Sequence, residues 1–164
     1  MKRKLLKYIS LNIFLVVFLL NINTTLASQS INFSFLSYKG ETYEIKDFSG
    51  KYIILNFFAS DCPMCMAELN VLESVYKTCN KNVQVISLII DKQGLPLLPY
   101  IIKVHHLTYI VGIAPDKAFK LLPDFSILPT CFLLNKKGVL LQQITGLHGK
   151  SYWLKLLNKY TSCN

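Results

Sequence analysis

Cys62 and Cys65, separated only by Pro63-Met64, follow the apolar run Tyr52-Ile53-Ile54-Leu55-Asn56-Phe57-Phe58 and stand at the start of a helical pattern. A strand that delivers such a pair to a helix N-terminus sets the first sulfur against unpaired backbone N–H groups and the positive end of the helix dipole. Both stabilise a thiolate. The expected chemistry is reversible dithiol–disulfide exchange. A structural zinc site would need a second Cys/His pair at ligand spacing, and neither His105-His106 nor the isolated Cys79, Cys131 and Cys163 supplies one. No metal and no cofactor is therefore expected.

The segment 1–27 reads as an export signal. Lys2, Arg3, Lys4 and Lys7 precede an apolar stretch from Ile9 to Leu20, and Thr25-Leu26-Ala27 offers small residues for cleavage. An uncleaved anchor is the alternative, weakened by Asn12, Asn21 and Asn23, which interrupt the run short of the ~18–20 apolar residues a span needs. Either form places the domain over 28–164 outside the cytoplasm, in a periplasmic or equivalent compartment where disulfides persist. That length suits one core and no second domain. The formal charge of the whole chain is +9; four of its 18 basic residues and none of its 9 acids precede Ala27, which leaves +5 for the rest. No Lys/Arg cluster interleaved with aromatic residues follows, so nucleic acid is not an expected partner.

These sulfurs need a scaffold, and the apolar pattern describes one. Ile31–Leu36 and Thr42–Ile45, with Lys39-Gly40 between them, predict an N-terminal β-hairpin. Ile53–Phe58 is almost continuously apolar, as expected of a strand buried on both faces in a sheet covered by helices. Cys65, Leu69, Leu72 and Tyr76 share one helical face, which makes Cys65 the buried thiol. That helix stops near Asn80, and Val83–Ile90 reads as a second buried strand. A short helix is expected at Leu98–Val104, a strand at Leu107–Ile113, and a brief helix at Asp116–Leu122 between Pro115 and Pro123. Thr130–Leu134 and Val139–Ile144 flank Asn135-Lys136-Lys137-Gly138 as a second hairpin. A last helix begins near Ser151, with Trp153, Leu156, Leu157 and Tyr160 as its apolar stripe.

This order of strand, Cys-x-x-Cys at a helix start, further β/α units, Leu128-Pro129-Thr130 opening a hairpin and a final helix resembles the thioredoxin fold: α/β, with a central mixed sheet flanked by helices. More narrowly the chain is similar to exported thiol:disulfide oxidoreductases of the TlpA/ResA type, including those that act in cytochrome c maturation. The similarity runs from about Phe33 to Tyr160, through Asp47-Phe48-Ser49-Gly50-Lys51, Leu55-Asn56-Phe57-Phe58-Ala59-Ser60, the Cys pair, Glu68, Leu128-Pro129-Thr130 and Lys137-Gly138. The resemblance implies that Cys62 is the nucleophile and Cys65 the resolving thiol. It further implies a cis-proline at Pro129 facing the dithiol, with Leu128 and Thr130 beside it where the partner binds. Exported proteins bearing thiols or disulfides are the implied substrates, and an upstream redox partner, membrane-bound or free, would recharge the site.

Asn56 stands where thioredoxin itself has a buried acid, so that function must lie elsewhere. Glu68 and the strand-end Asp91 are the candidates for assisting proton transfer at Cys65; the plainer alternative makes them a solvated helix-surface carboxylate and a turn residue. Phe58 and Asp61 stand where the family commonly has tryptophans, and Asn70 where it often has a helix-kinking proline. A carboxylate at Asp61 disfavours the Cys62 thiolate and so destabilises the reduced state. A more reducing dithiol is expected.

In a thioredoxin-like sheet the two helices on one face start at the active-site edge and end together at the other, which would allow a Cys79–Cys163 structural disulfide. Cys131, inside a strand two residues after Pro129, is expected to be a packed core thiol. Two other functions use the same residues. A disulfide-forming oxidase would employ the same two sulfurs at a different potential. A Cu(I)-binding or delivery module would draw on Cys62, Met64, Cys65 and Met66, with His148 nearby. His105 and His106 have no evident partner in the sequence.

Overall fold

The computed structural model describes residues 29–163. The export signal or anchor read over 1–27 lies outside them. In chain order the elements are β1 (Ser34–Ser37), β2 (Thr42–Glu44), β3 (Tyr52–Phe58), α1 (Pro63–Cys79), β4 (Val83–Ile89), α2 (Leu98–Val104), β5 (Ile110–Ile113), α3 (Asp116–Leu121), β6 (Thr130–Leu134), β7 (Leu140–Thr145) and α4 (Lys150–Leu157). The strands form one mixed sheet in the order β2-β1-β5-β4-β3-β6-β7. β3 and β4 pair in parallel across the α1 crossover, β4 and β5 across α2, and β6 returns antiparallel to β3.

β3 lies inside the sheet, between β4 and β6, and both its faces are apolar. Ile54 and Phe58 join one cluster with Leu69, Leu72 and Val75 of α1 and Trp153, Leu156 and Leu157 of α4. Ile53, Leu55 and Phe57 join the other, against Phe33, Phe35, Ile45, Ala118 and Phe132. The alternation follows from the two-residue period of a strand. Both clusters and both disulfides are built from residues of this one sheet and the helices that cover it.

Three boundaries depart from the sequence reading. The first strand begins at Ser34 rather than Ile31, because Ile31 N–H donates to the Gly138 carbonyl (2.8 Å) and leads the chain across the second core toward the hairpin. β5 begins at Ile110 rather than Leu107. The Glu73 carboxylate takes both the N–H and the hydroxyl of Thr108 (2.8 and 2.7 Å), holding that residue out of the ladder. α4 ends at Leu157, and Tyr160, expected on its stripe, lies beyond the end, its ring 5.8 Å from that of Tyr52. His105 also gains a partner the sequence did not reveal: its Nδ1 lies 2.9 Å from Oδ1 of Asn70, joining α1 to the end of α2.

Candidate active site

β3 ends at Phe58 and the loop Ala59–Asp61 hands the chain to α1. Cys62 is the N-cap of that helix and Pro63 its first residue, a position where proline costs nothing because its missing N–H would have had no helical partner. Cys62 and Cys65 are joined as a disulfide, their Cα atoms 5.2 Å apart. The Cys65 N–H donates to Cys62 Sγ at 3.1 Å, so a helix-end donor already points at the sulfur that would carry the negative charge after reduction. Cys62 is half-buried and Cys65 wholly buried. Of the two, only Cys62 retains solvent exposure.

The loop is braced from β4. Asp91 accepts hydrogen bonds from the Ser60 N–H at 2.9 Å and the Ser60 hydroxyl at 2.6 Å, one on each oxygen, which commits its carboxylate to the loop. Gly94 packs against the same pair so closely that a Cβ there would overlap Asp91 Oδ2 and the Ser60 side chain. Neither Ser60 nor Gly94 stood out in the sequence. Asp61 is exposed beside Cys62.

The register Phe57↔Thr130 brings the start of β6 to the edge of the sheet from which this loop leaves. The Leu128–Pro129 peptide bond there is cis. Pro129 is buried, its carbonyl accepts the Gly146 N–H at 2.8 Å, and the Thr130 hydroxyl donates to the Ile127 carbonyl at 2.7 Å. Leu128 touches both core clusters.

One turn beyond Cys65, Glu68 is not the solvated surface residue of the plainer reading: it is 0% exposed. Its Oε1 accepts the indole N–H of Trp153 at 2.8 Å and its Oε2 the backbone N–H of His148 at 2.9 Å. The sequence placed Trp153 only on a packing stripe; the polar end of the ring had no visible signal. Burial raises the Glu68 carboxyl above the ordinary carboxylate range, against the opposing pull of those two N–H groups and of the nearby His148. The folded carboxyl thus holds its proton more tightly than the unfolded one, and stability should fall as pH rises from the ordinary carboxylate range through the raised value. Glu68→Gln is expected to flatten that slope. Denaturant unfolding across roughly pH 4 to 8 measures it, and an unchanged slope would place its origin in another group.

Under the dithiol, where a buried acid was absent from the sequence, runs a neutral hydrogen-bonded chain. The Cys131 thiol donates to Asn56 Oδ1 (3.4 Å), Asn56 Nδ2 to Ser87 Oγ (3.0 Å), Ser87 to the Tyr109 hydroxyl (3.3 Å) and Tyr109 to the Leu69 carbonyl (3.4 Å). Burial pushes both the Cys131 thiol and the Tyr109 phenol upward, which keeps them protonated. Glu68 is therefore the buried carboxylate of this site.

Cys79 and Cys163 form a disulfide at the opposite end of α1, with Cα atoms 4.5 Å apart. Of the ligands of the copper alternative, Met64 is 51% exposed, Met66 packs with Cys62 against the core cluster that holds Cys65, and His148 Nδ1 is engaged with the Gly146 carbonyl at 2.9 Å. Among the described residues, no group of three or more His, Cys, Asp or Glu side chains could hold a metal ion.

The model of the Redoxin family matches residues 27–150. This chain is a Redoxin. It is 30% identical over 139 residues to the thiol-disulfide oxidoreductase ResA of Bacillus thuringiensis subsp. konkukian, an alignment that covers 83% of this chain and 79% of that one. Among solved structures, a thiol:disulfide interchange protein of the thioredoxin family from Chlorobium tepidum superposes with a TM-score of 0.74 at 23% identity, over 80% of this chain and 94% of that one. StoA from Bacillus subtilis gives 0.61 at 25% identity, over 77% and 96%. The fold is thus thioredoxin-like, and this Redoxin is a thiol–disulfide oxidoreductase.

Proposed function

We propose that this Redoxin works outside the cytoplasm and reduces disulfides in exported proteins, with apocytochrome c and metal-site proteins as candidate substrates. The observation that carries this reading is the asymmetry of the pair: a half-buried Cys62 at the helix start, its sulfur accepting the Cys65 N–H, beside a wholly buried Cys65. After reduction, the Cys62 thiolate attacks one sulfur of the partner's disulfide, forming a mixed disulfide and releasing the partner's other sulfur as thiolate. Cys65 then loses its proton and attacks Cys62 Sγ. The partner leaves with both sulfurs reduced, and two electrons have passed from the Cys62–Cys65 dithiol. Glu68, buried one turn away with its carboxyl raised, is the group suited to accept the Cys65 proton. Asp91 acts through Ser60 by fixing the loop.

The partner is held as an extended segment beside Pro129. Among the described residues, the Leu128 N–H and carbonyl make no hydrogen bond, so both are open to a strand-like partner. Exposed Ile127 (61%), Met64 (51%) and Leu147 (40%) supply apolar contacts around the sulfurs. An upstream dithiol donor returns the electrons.

The chain from residue 28 onward, titrated against a glutathione redox buffer, decides the direction. A potential toward ~−270 mV supports reduction, and one near ~−120 mV would make the protein a disulfide-forming oxidase. In the same titration Asp61→Asn should give a less negative potential by up to ~30 mV, the equivalent of one pKa unit, because the change removes a charge that disfavours the Cys62 thiolate. The difference should shrink as salt is added. Identical potentials for the two proteins at low salt would remove Asp61 from the account.

A further inference from the structure

At the end of the sheet that carries the dithiol, acids and bases are mixed: Asp61, Asp91 and Asp116 lie among Lys92 and Lys117. The opposite end is different. On its β3–β6–β7 side four segments meet, 48–51, 77–82, 135–139 and 158–163, and they hold Lys51, Lys77, Lys81, Lys136, Lys137 and Lys159 but no Asp or Glu, whereas Glu41 and Glu73 lie toward β1 and β5. Their proximity is set by hydrogen bonds. Gly50 N–H donates to the Lys136 carbonyl (3.0 Å), Tyr52 N–H to that of Asn82 (2.9 Å), and Asn82 Nδ2 to that of Ser162 (3.0 Å). At the centre the rings of Tyr52 and Tyr160 lie 5.8 Å apart, with the Lys136 ammonium 5.7 Å from the centre of the Tyr52 ring. Lys77 is paired with Glu73 at 3.1 Å, and the Lys51 ammonium donates to the Asn80 carbonyl. Lys81, Lys136, Lys137 and Lys159 are exposed.

The N-terminal segment joins the described chain at this same end. Ser30 bridges to Val139, and Ile31 N–H binds the Gly138 carbonyl, so the described chain begins beside Lys136 and Lys137.

We propose that this lysine-rich end docks on an anionic phospholipid surface and thereby holds the dithiol end away from the bilayer. The chemistry favours headgroups over an acidic protein. The only arginine of the chain is Arg3, so the surface offers hydrated, mobile ammonium charges suited to a diffuse layer of phosphates rather than the rigid forks that pair with individual carboxylates. Tyrosine rings among lysines also match the headgroup layer, where amphipathic aromatics settle. This inference is independent of the direction in which the dithiol runs.

The test uses the chain from residue 28 onward, which contains both core clusters and both disulfides, and phosphatidylcholine vesicles with and without phosphatidylglycerol. Binding is expected only with phosphatidylglycerol and should weaken as salt is raised. Changing Lys81, Lys136, Lys137 and Lys159 together to Gln should lower partitioning by about 100-fold or more. A control variant with Lys92, Lys117, Lys120 and Lys150 changed to Gln has the same net charge and should lose only a few-fold. In Tyr160→Trp the added indole should be quenched by brominated phosphatidylglycerol, whereas Trp153 of the unaltered protein, beside Glu68 at the dithiol end, should not. Absence of phosphatidylglycerol-dependent binding, equal losses in the two variants, or selective binding of polyglutamate without vesicle binding would each overturn the proposal.

Discussion

Cys62→Ser is expected to slow single-turnover reduction of a disulfide-bonded peptide by the pre-reduced protein at least about 1,000-fold, because a hydroxyl at that position has no thiolate to offer. Cys65→Ser should behave differently. The first attack still proceeds, but the resolving sulfur is gone, so the peptide stays linked to Cys62 and appears as added mass. The expected contrast rests on exposure: Cys62 is half-buried, while Cys65 and Cys131 are sealed at 0% and 1%. Wild-type exchange by Cys62→Ser, or an adduct mapped to Cys131, would mean that another sulfur performs the attack.

The second large effect concerns stability. Cys79 and Cys163 are 84 residues apart in sequence, and on the chain-entropy model a loop of that length contributes about 4–5 kcal/mol by restricting the unfolded state. Cys163→Ser should lower the stability by up to that amount, shifting Tm down by roughly 10–20 °C for a domain of this size. The loss should be accompanied by release of the segment after α4, since Asn82 Nδ2 holds the Ser162 carbonyl and the Tyr160 ring packs at a tilt against Tyr52. Thermal unfolding of the variant beside the oxidised protein measures the shift. A shift of under about 2 °C would show that hydrogen bonding and the tyrosine contact hold the segment without the covalent link. Reactivity of Cys62 should survive, because the two disulfides lie at opposite ends of α1.

Glu68 and Asp91 show where sequence reasoning stops. Both were visible as carboxylates near a Cys-x-x-Cys pair, and both could equally have been surface residues. Their fates diverge because of partners distant in the chain: the Trp153 indole, 85 positions away, seals Glu68, whereas Asp91 turns to Ser60 across two neighbouring strands. Likewise β5 is shortened by a carboxylate on α1, and His105 finds Asn70, two contacts that no local pattern encodes.

What the sequence alone determined was local and periodic: a Cys pair at a strand-to-helix junction, the buried side of Cys65, the apolar faces of β3 and β4, and the turns that Gly and Pro demand. These follow from backbone sterics and from repeats of two and 3.6 residues, which act within a few positions. The three-dimensional fold alone decided which donors Glu68 accepts, how the Ser60 loop is braced, that Asn56 belongs to a neutral chain of hydroxyl, amide and thiol groups, and that lysines from four separate segments share one end of the sheet. Those outcomes depend on the order and register of strands. Side chains far apart in sequence become neighbours only when the sheet is assembled.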